Sequence, residues 1–428
     1  MRGALRHRNF RLFFFGQGIS LIGTWMQQVA MIWLAYRLSN SAFLLGLLGF
    51  CGQLPILLVS SLAGVYTDRW NRHRTIIATQ TLAMFQALLL FVLTLTGLIA
   101  IWELIVLSVV LGLINAIDIP ARQAFLIEMI EGREDLSSAI GLSSSMFNGA
   151  RLVGPSIAGF LIATLGEWFC FLLNAFSFLA VLAALLAMRV AARPSQRTNQ
   201  HVLRDLKDGL SYVVGFQPIR SLLMLLAMVS LTAMPLVVLM PLFAAEILHG
   251  GPATLGLLTA AMGVGALAGA LLIAARKSVL GLGRQVAWAS GAFGLSAICF
   301  SLSDLLGLSL GLLALVGFFM MLETASTNTI LQTIVAEDKR GRVMSLYATA
   351  FVGMAPVGSL LAGSLASRIG AAHTVQIMAG LCVVASLLFT RQLRAMREQV
   401  RPIYRQMGIL PEVTSGIPEA EGPPLEVP

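Results

Sequence analysis

Four ionisable side chains interrupt segments that are otherwise apolar: Asp118, Arg122, Arg151 and Glu323. A charge near a bilayer centre costs at least about 2.5 kcal/mol on the mildest insertion scale, so each needs a partner or a watery cavity. Asp118 and Arg122 are four residues apart with the acid first, the favourable order for an ion pair on one helical face. Arg151 arrives in the next segment from the opposite direction, and the lean of helical side chains toward their own N-terminus brings it to the level of Asp118. Two readings stay open for Arg122 and Arg151: a buried pair that only orients neighbouring helices, or charges that take part in function. Glu323 has no basic residue within a turn, only Thr324, Ser326, Thr327 and Asn328. A carboxyl group desolvated without a cation readily keeps its proton. Glu323 is therefore the first candidate for a proton carrier and Asp118 the second, against a reading of Glu323 as a satisfied polar core residue.

The elements that must position these groups are membrane spans. The chain has 428 residues, of which 57% are hydrophobic and only 11% charged, whereas a soluble domain carries roughly 25% charged residues. A span needs about 20 apolar residues, so there is room for about a dozen and for no sizeable soluble domain. The first ten residues resemble the start of a signal peptide, but no small-residue cleavage site follows, so the first helix is expected to be retained. Expected helices run Phe10 to Leu38, Ala42 to Tyr66, Thr75 to Gly97, Trp102 to Ile127, Leu136 to Leu165 and Trp168 to Met188. A second set runs Ile219 to Leu248, Ala253 to Ala275, Gln285 to Ser303, Leu306 to Val335, Arg342 to Ile369 and Thr374 to Leu393.

With the N-terminus and the even connections on one side, all of the 29 Lys and Arg fall there except Arg37, Arg368, Arg122 and Arg151. This imbalance places both termini in the cytoplasm. The net charge of +9 is spread over alternate connections, which suits orientation and contact with a lipid bilayer rather than nucleic acid. The four cysteines and five histidines show neither metal spacing nor a disulfide framework. No GxxxxGK[ST] loop occurs, which argues against an ATP-driven pump. No cofactor, no metal and no enzymatic activity are expected.

The chain reads as an all-α membrane protein of about twelve transmembrane helices in two pseudo-symmetric six-helix bundles. Residues 1–188 form the first bundle, 189–218 a cytoplasmic linker, 219–394 the second bundle, and 395–428 a disordered tail. Within the linker, Val202, Leu203, Leu206, Leu210, Val213 and Val214 recur at helical spacing opposite Arg204, Asp205, Lys207 and Asp208, an interfacial amphipathic pattern. The halves are repeats: Gly149, Gly154, Gly159 and Gly166 reappear 204 residues later as Gly353, Gly358, Gly363 and Gly370. Shifting Asp118 by 205 residues lands on Glu323, so each half carries one carboxylate on a symmetry-related helix. Parallel repeats of this kind are a transporter architecture, with a substrate site between the halves near the midplane.

Gln17, Trp25 and Gln28 in the first helix, with Asn328, are candidates to line a substrate cavity; Gln27 is a further amide there, although amides also serve helix contacts. The string GVGALAG from Gly263 to Gly269 looks like a dinucleotide motif but lies in a span, where close helix packing is expected. Pro55, Pro120, Pro155, Pro235, Pro241 and Pro356 fall inside spans.

The stretch GVYTDRWNRHR, from Gly64 to Arg74, resembles the loop 2–3 motif of the major facilitator superfamily through Gly64, Asp68, Arg69, Arg72 and Arg74. His73 takes the usual last position, and Asn71 stands where a second glycine is usual, as a left-handed turn would tolerate. NGARLVGPSIAG, with Gly149, Gly154, Pro155 and Gly159, resembles the Gly-Pro motif of the superfamily's antiporters. AIDIPARQAFL from Ala116 and MPLFAAEILHGGPATLG from Met240 look like the bacterial efflux branch that includes the enterobactin exporter and macrolide efflux proteins. The resemblance implies alternating access and proton-driven export in a bacterial inner membrane. The leading reading is export of amphipathic small molecules such as drugs, siderophores or secondary metabolites, and a monomer is expected. It departs from the drug/proton antiporters in lacking their basic residue earlier in helix 4. A proton-coupled importer or a uniporter is the alternative reading, and a non-transporting membrane sensor a remote one. Asp68 and its arginines are expected to latch the halves, bonding to helix 11 near Arg342 and to Glu128 or Glu131.

Overall fold

In lipid each backbone polar group must be satisfied within the chain, and long apolar segments achieve this as helices. The computed structural model describes residues 3–67, 70–130, 135–188, 210–276 and 278–409; the side chains of 61–67, 137 and 338 are outside that description. Among the described residues there are twelve long helices and no strand. The first half holds α1 (Arg8–Ser39), α2 (Ala42–Thr67), α3 (Arg72–Leu95), α4 (Ile101–Glu128), α5 (Leu136–Thr164) and α6 (Glu167–Leu186). The second holds α7 (Gln217–Leu242), α8 (Pro252–Ala274), α9 (Leu282–Ser301), α10 (Leu306–Ile334), α11 (Glu337–Ile369) and α12 (Ala371–Gln406). A π-helical turn, Phe243–Ile247, closes α7.

Eleven of these helices are long and apolar enough to cross a membrane. The exception, α9, is as long as α6 but richer in glycine and serine, which it uses for close packing. A Cβ on its Gly294 would lie 2.8 Å from the Ala379 carbonyl of α12.

The contacts repeat across the halves. In the first, α1 packs on α5 and α6, α3 on α4 and α6, and α2 on α4. In the second, α7 packs on α11 and α12, α9 on α10 and α12, and α8 on α10. Two seams join the halves, α2 with α11 and α5 with α8. Each of the four repeated glycine pairs now has a position. Gly166 and Gly370 take positive φ, 95° and 83°, at the joints α5–α6 and α11–α12, where a side chain would be strained. Gly154 meets the Ile22 carbonyl of α1, and Gly358 the Leu231 carbonyl of α7, with a built Cβ at 2.9 and 2.5 Å. Gly159 meets Gly256 of α8 across one seam, and Gly363 meets Gly46 of α2 across the other. Gly353 faces Leu57, while Gly149 has open space beside it.

Three expectations change. Asn71 is not left-handed: at φ −70° it caps α3, its side chain accepting from Arg74 N at 3.1 Å. Helix α11 starts at Glu337 rather than near Arg342. Helix α12 runs to Gln406, so residues 395–406 are helical rather than a disordered tail. The reason is apolar spacing: Leu393, Met396 and Val400 are buried on one face and carry α12 along the base of the second half. The linker residues 189–209 and the tail 410–428 lie outside the described residues.

Candidate functional site

Odd-numbered helices start, and even-numbered helices finish, at the end that carries the arginine-rich connections, called the basic end below. Each carboxylate lies roughly 15 Å from the basic end of its helix at the helical rise per residue. Asp118 is 1% exposed and Glu323 is fully buried.

Asp118 is held from three sides. Thr79 Oγ1 and Gln80 Nε2 of α3 donate to its Oδ1 at 2.7 and 2.9 Å, and Arg122 pairs with Oδ2 one turn along α4. The expected pair is present, and both α3 donors were missed, because a neutral hydroxyl and an amide carry no sign that they face a charge. Buried polar atoms remain unpaired beside it: Arg122 Nε and Gln80 Oε1, with Gln17 Oε1 and Ser143 Oγ at similar depth on α1 and α5. Such atoms are where water or a polar ligand completes the bonding.

Glu323 differs in its partners. Thr327 Oγ1 donates to Oε1 at 3.0 Å and Thr324 Oγ1 to Oε2 at 3.3 Å. Tyr347 of α11 donates to the Thr324 carbonyl at 3.2 Å, tying the turn in place. Among the described residues no cation pairs with Glu323. Under the 205-residue shift, Thr327 stands at the position of Arg122.

Arg151 does not join Asp118. Its guanidinium carbon lies 5.7 Å from the centroid of the Trp25 ring, and Phe147 meets the same ring edge-on. The cause is Gly154, which draws α5 onto α1 with a built Cβ 2.6 Å from Trp25 Cβ, so the ring becomes the nearest face for the cation. The helix 5 motif thus divides its work. Gly154 seats α5 on α1, whereas Pro155 and Gly159 seat it on α8 at Gly256. GVGALAG proves to be a packing surface too, with Gly265 and Gly269 against α10 and Gly263 against Leu152.

Among the cavity candidates, Gln28 and Trp25 border a void of about 20 Å³ shared with Val237, Leu255 and Thr259 of the other half. Gln17 is buried, and Asn328 accepts from Gln332 at 2.8 Å. Gln27 is spent on structure: it donates to Gln86 at 2.9 Å and accepts from Asn174 at 2.7 Å. Of the loop motif, Arg72 pairs with Glu128 at 2.6 Å, and His73 bonds to the Leu185 carbonyl. Asp68 and Arg69, like Glu131, lie outside the described residues, and of Gly64 only its place in α2 is described. At the far end a contact that sequence reasoning missed joins the halves: Tyr36 of α1 donates to Glu246 of the π turn at 3.3 Å. Arg37 pairs with Glu167 beside it at 2.8 Å.

The sequence model for transmembrane secretion effectors matches residues 3–423. The chain belongs to that family. It is a major facilitator transporter of the efflux branch, not an enzyme, and a multi-pass membrane protein. This transporter is 25% identical to the staphyloferrin A transporter of Staphylococcus aureus, over 89% of its own chain and 95% of the relative. It is 29% identical to the multidrug efflux pump Tap of Mycolicibacterium fortuitum, over 83% and 87% of the two chains. The macrolide efflux protein A of Streptococcus pyogenes is 21% identical over 86% and 93%. Its fold matches a bacterial homologue of the human lysosomal transporter Spinster in an inward-facing, unoccupied conformation, with a TM-score of 0.67 at 14% identity, covering 94% and 98%. A POT family transporter in complex with 5-aminolevulinic acid matches with a TM-score of 0.70 at 12% identity, covering 91% and 96%.

Proposed function

We propose that this transporter exports amphipathic small molecules by proton antiport with alternating access, from a bacterial inner membrane with both termini in the cytoplasm. The observation that carries the proton coupling is Glu323: a carboxyl group fully buried and, among the described residues, held only by hydroxyl donors. A group so placed can exist with or without its proton, whereas Asp118 is committed to Arg122. The relatives named for a siderophore, several drugs and macrolides support an exported cargo that is small and amphipathic. The basic end, by the distribution of arginine, faces the cytoplasm.

In the proposed cycle the cargo enters from the cytoplasm while the glycine seams and the Tyr36–Glu246 bond close the far end. The halves then rock, the far end opens, and the cargo leaves as a proton binds Glu323. Trp25, Arg151 and Gln28 line the path on one side, and the open polar atoms of Gln17 and Arg122 supply further contacts. Asp68, Arg69 and Arg74 latch the cytoplasmic end when the cavity faces outward, while the Arg72–Glu128 pair ties α3 to α4 within the first half. Asp68→Asn then slows cycling more than it weakens cargo affinity.

The test is transport by Glu323→Gln in proteoliposomes under an imposed pH gradient. Gradient-driven flux is expected to fall to background while cargo binding survives. Undiminished gradient-driven flux would remove Glu323 as the carrier, and an import flux that consumes the gradient would reverse the direction.

A further inference from the structure

The two halves share contacts but not contents at their basic ends. In the first half, Phe10, Phe13 and Phe125 fill the base of the bundle and are almost fully buried. The repeat places Ile219, Leu222 and Ile330 at those positions, since NFRLFF of α1 aligns with PIRSLL of α7 and Asp118 with Glu323. Three aromatic rings are exchanged for aliphatic side chains, and a cavity of about 310 Å³ opens there, lined by Leu222, Ile330, Ile334 and Leu393.

Its mouth is basic. Arg284, Arg397 and Arg401 stand around it with one acid, Glu398. All three arginines are exposed, and none makes a hydrogen bond or ion pair with a described residue. Arg284 and Gly281 also belong to a second, adjoining hollow whose other wall includes Leu272, Trp288 and Leu322. Leu272 and Trp288 are 53% and 59% exposed on the outside of the bundle. One arginine therefore stands between an apolar cavity inside the bundle and an apolar groove on its surface. Helix α12 passes at this level: 36 residues are longer than the roughly 20 that cross a bilayer, so Arg397 and Arg401 reach headgroup depth.

We propose that this cavity binds an anionic phospholipid of the cytoplasmic leaflet. One acyl chain enters the space left by the missing rings, the other lies along Leu272 and Trp288, and the headgroup phosphate sits among Arg284, Arg397 and Arg401. Charge selects the headgroup, because basic pockets between helices on the cytoplasmic side favour anionic lipids. The apolar floor selects a lipid over a free anion. The bound lipid joins α7, α9, α10 and α12 at the base of the half that carries Glu323. The proposal rests on the cytoplasmic orientation given above but not on the identity of the cargo or on Glu323.

The test is native mass spectrometry of the purified full chain titrated with phosphatidylglycerol, phosphatidylcholine or glycerol phosphate. Phosphatidylglycerol is expected to bind about tenfold or more tightly than phosphatidylcholine, with no retention of glycerol phosphate. Replacing the three arginines together, Arg284→Gln, Arg397→Gln and Arg401→Gln, abolishes that preference. Ile330→Phe restores the ring of the first half and excludes the lipid while raising thermal stability in lipid-free detergent. Equal binding of the two lipids, or a preference that survives both variants, overturns the proposal. Retention of glycerol phosphate alone shows an anion site without a lipid and overturns it too. A preference for phosphatidylglycerol that emerges only after Glu412, Glu419, Glu421 and Glu426 are changed to Gln assigns the cavity to the chain's own acidic tail instead. Export from vesicles is a separate readout, so loss of lipid selectivity and failure of the export reading are distinguishable.

Discussion

Thr327 donates to Glu323 at 3.0 Å from the position that Arg122 holds beside Asp118 in the other half. The same helix, repeated, offers its buried acid a hydroxyl in one copy and a guanidinium in the other. Breaking the two pairs should therefore have unlike consequences. A buried pair that loses one partner leaves an uncompensated charge, whereas a hydroxyl can bond an amide as well as a carboxylate.

Asp118→Asn is expected to destabilise the protein by about 3–5 kcal/mol, through the guanidinium left behind. Glu323→Gln should cost about 1 kcal/mol or less, since the amide oxygen still accepts from Thr327. Thermal unfolding in detergent reads both, and Asp118→Asn combined with Arg122→Gln should recover much of the loss. Equal losses from the two single variants would show that the charge on Arg122 is compensated elsewhere.

Gly256 and Gly159 close one seam so tightly that a Cβ on Gly256 lies 2.7 Å from Gly159 Cα and 2.8 Å from the Pro155 carbonyl. Backbone cannot yield as a side chain can. Gly256→Val should overpack by about 1–3 kcal/mol, enough to shift the conformational equilibrium roughly 5- to 150-fold toward an open far end. A cysteine at Thr259, with the native cysteines replaced, should then react faster with an impermeant maleimide. An unchanged rate would mean that the seam bends without opening.

Tyr36→Phe removes the far-end hydrogen bond to Glu246 and leaves the ring in place. A net loss of about 1 kcal/mol corresponds to a roughly fivefold shift in the same direction. The Thr259 labelling rate measures it. Glu246→Gln should do less, because an amide oxygen still accepts from the phenol.

Trp25→Leu removes the aromatic face beneath Arg151. Trp25 and Arg151 are half-buried, and cation–π contacts that water reaches contribute about 0.5–1 kcal/mol, so the melting temperature should fall slightly. Trp25→Phe should keep part of the stability. Arg151→Met breaks the same contact but also removes a charge that has no carboxylate partner among the described residues, so it should cost less than Trp25→Leu. A large loss from Arg151→Met would point to a partner outside them.

The helices, the repeat and the two acids were legible in the chain because each depends on a local or periodic property. Apolar length set the spans, the placement of arginine ordered the connections, and the 204-residue glycine register revealed two copies of one unit. The i, i+4 pair of Asp118 and Arg122 needed only the helical period, and the solitude of Glu323 only the absence of a nearby cation. What the tertiary structure decided was which helical faces meet. The rotation of α3 against α4 turns Thr79 and Gln80 toward Asp118. The approach of α5 to α1 at Gly154 sends Arg151 to Trp25 rather than to the acid one helix away. The meeting of Gly46 with Gly363 and the open base of the second half come from backbones far apart in the chain. A period fixes where side chains point around their own helix; only packing fixes what they point at.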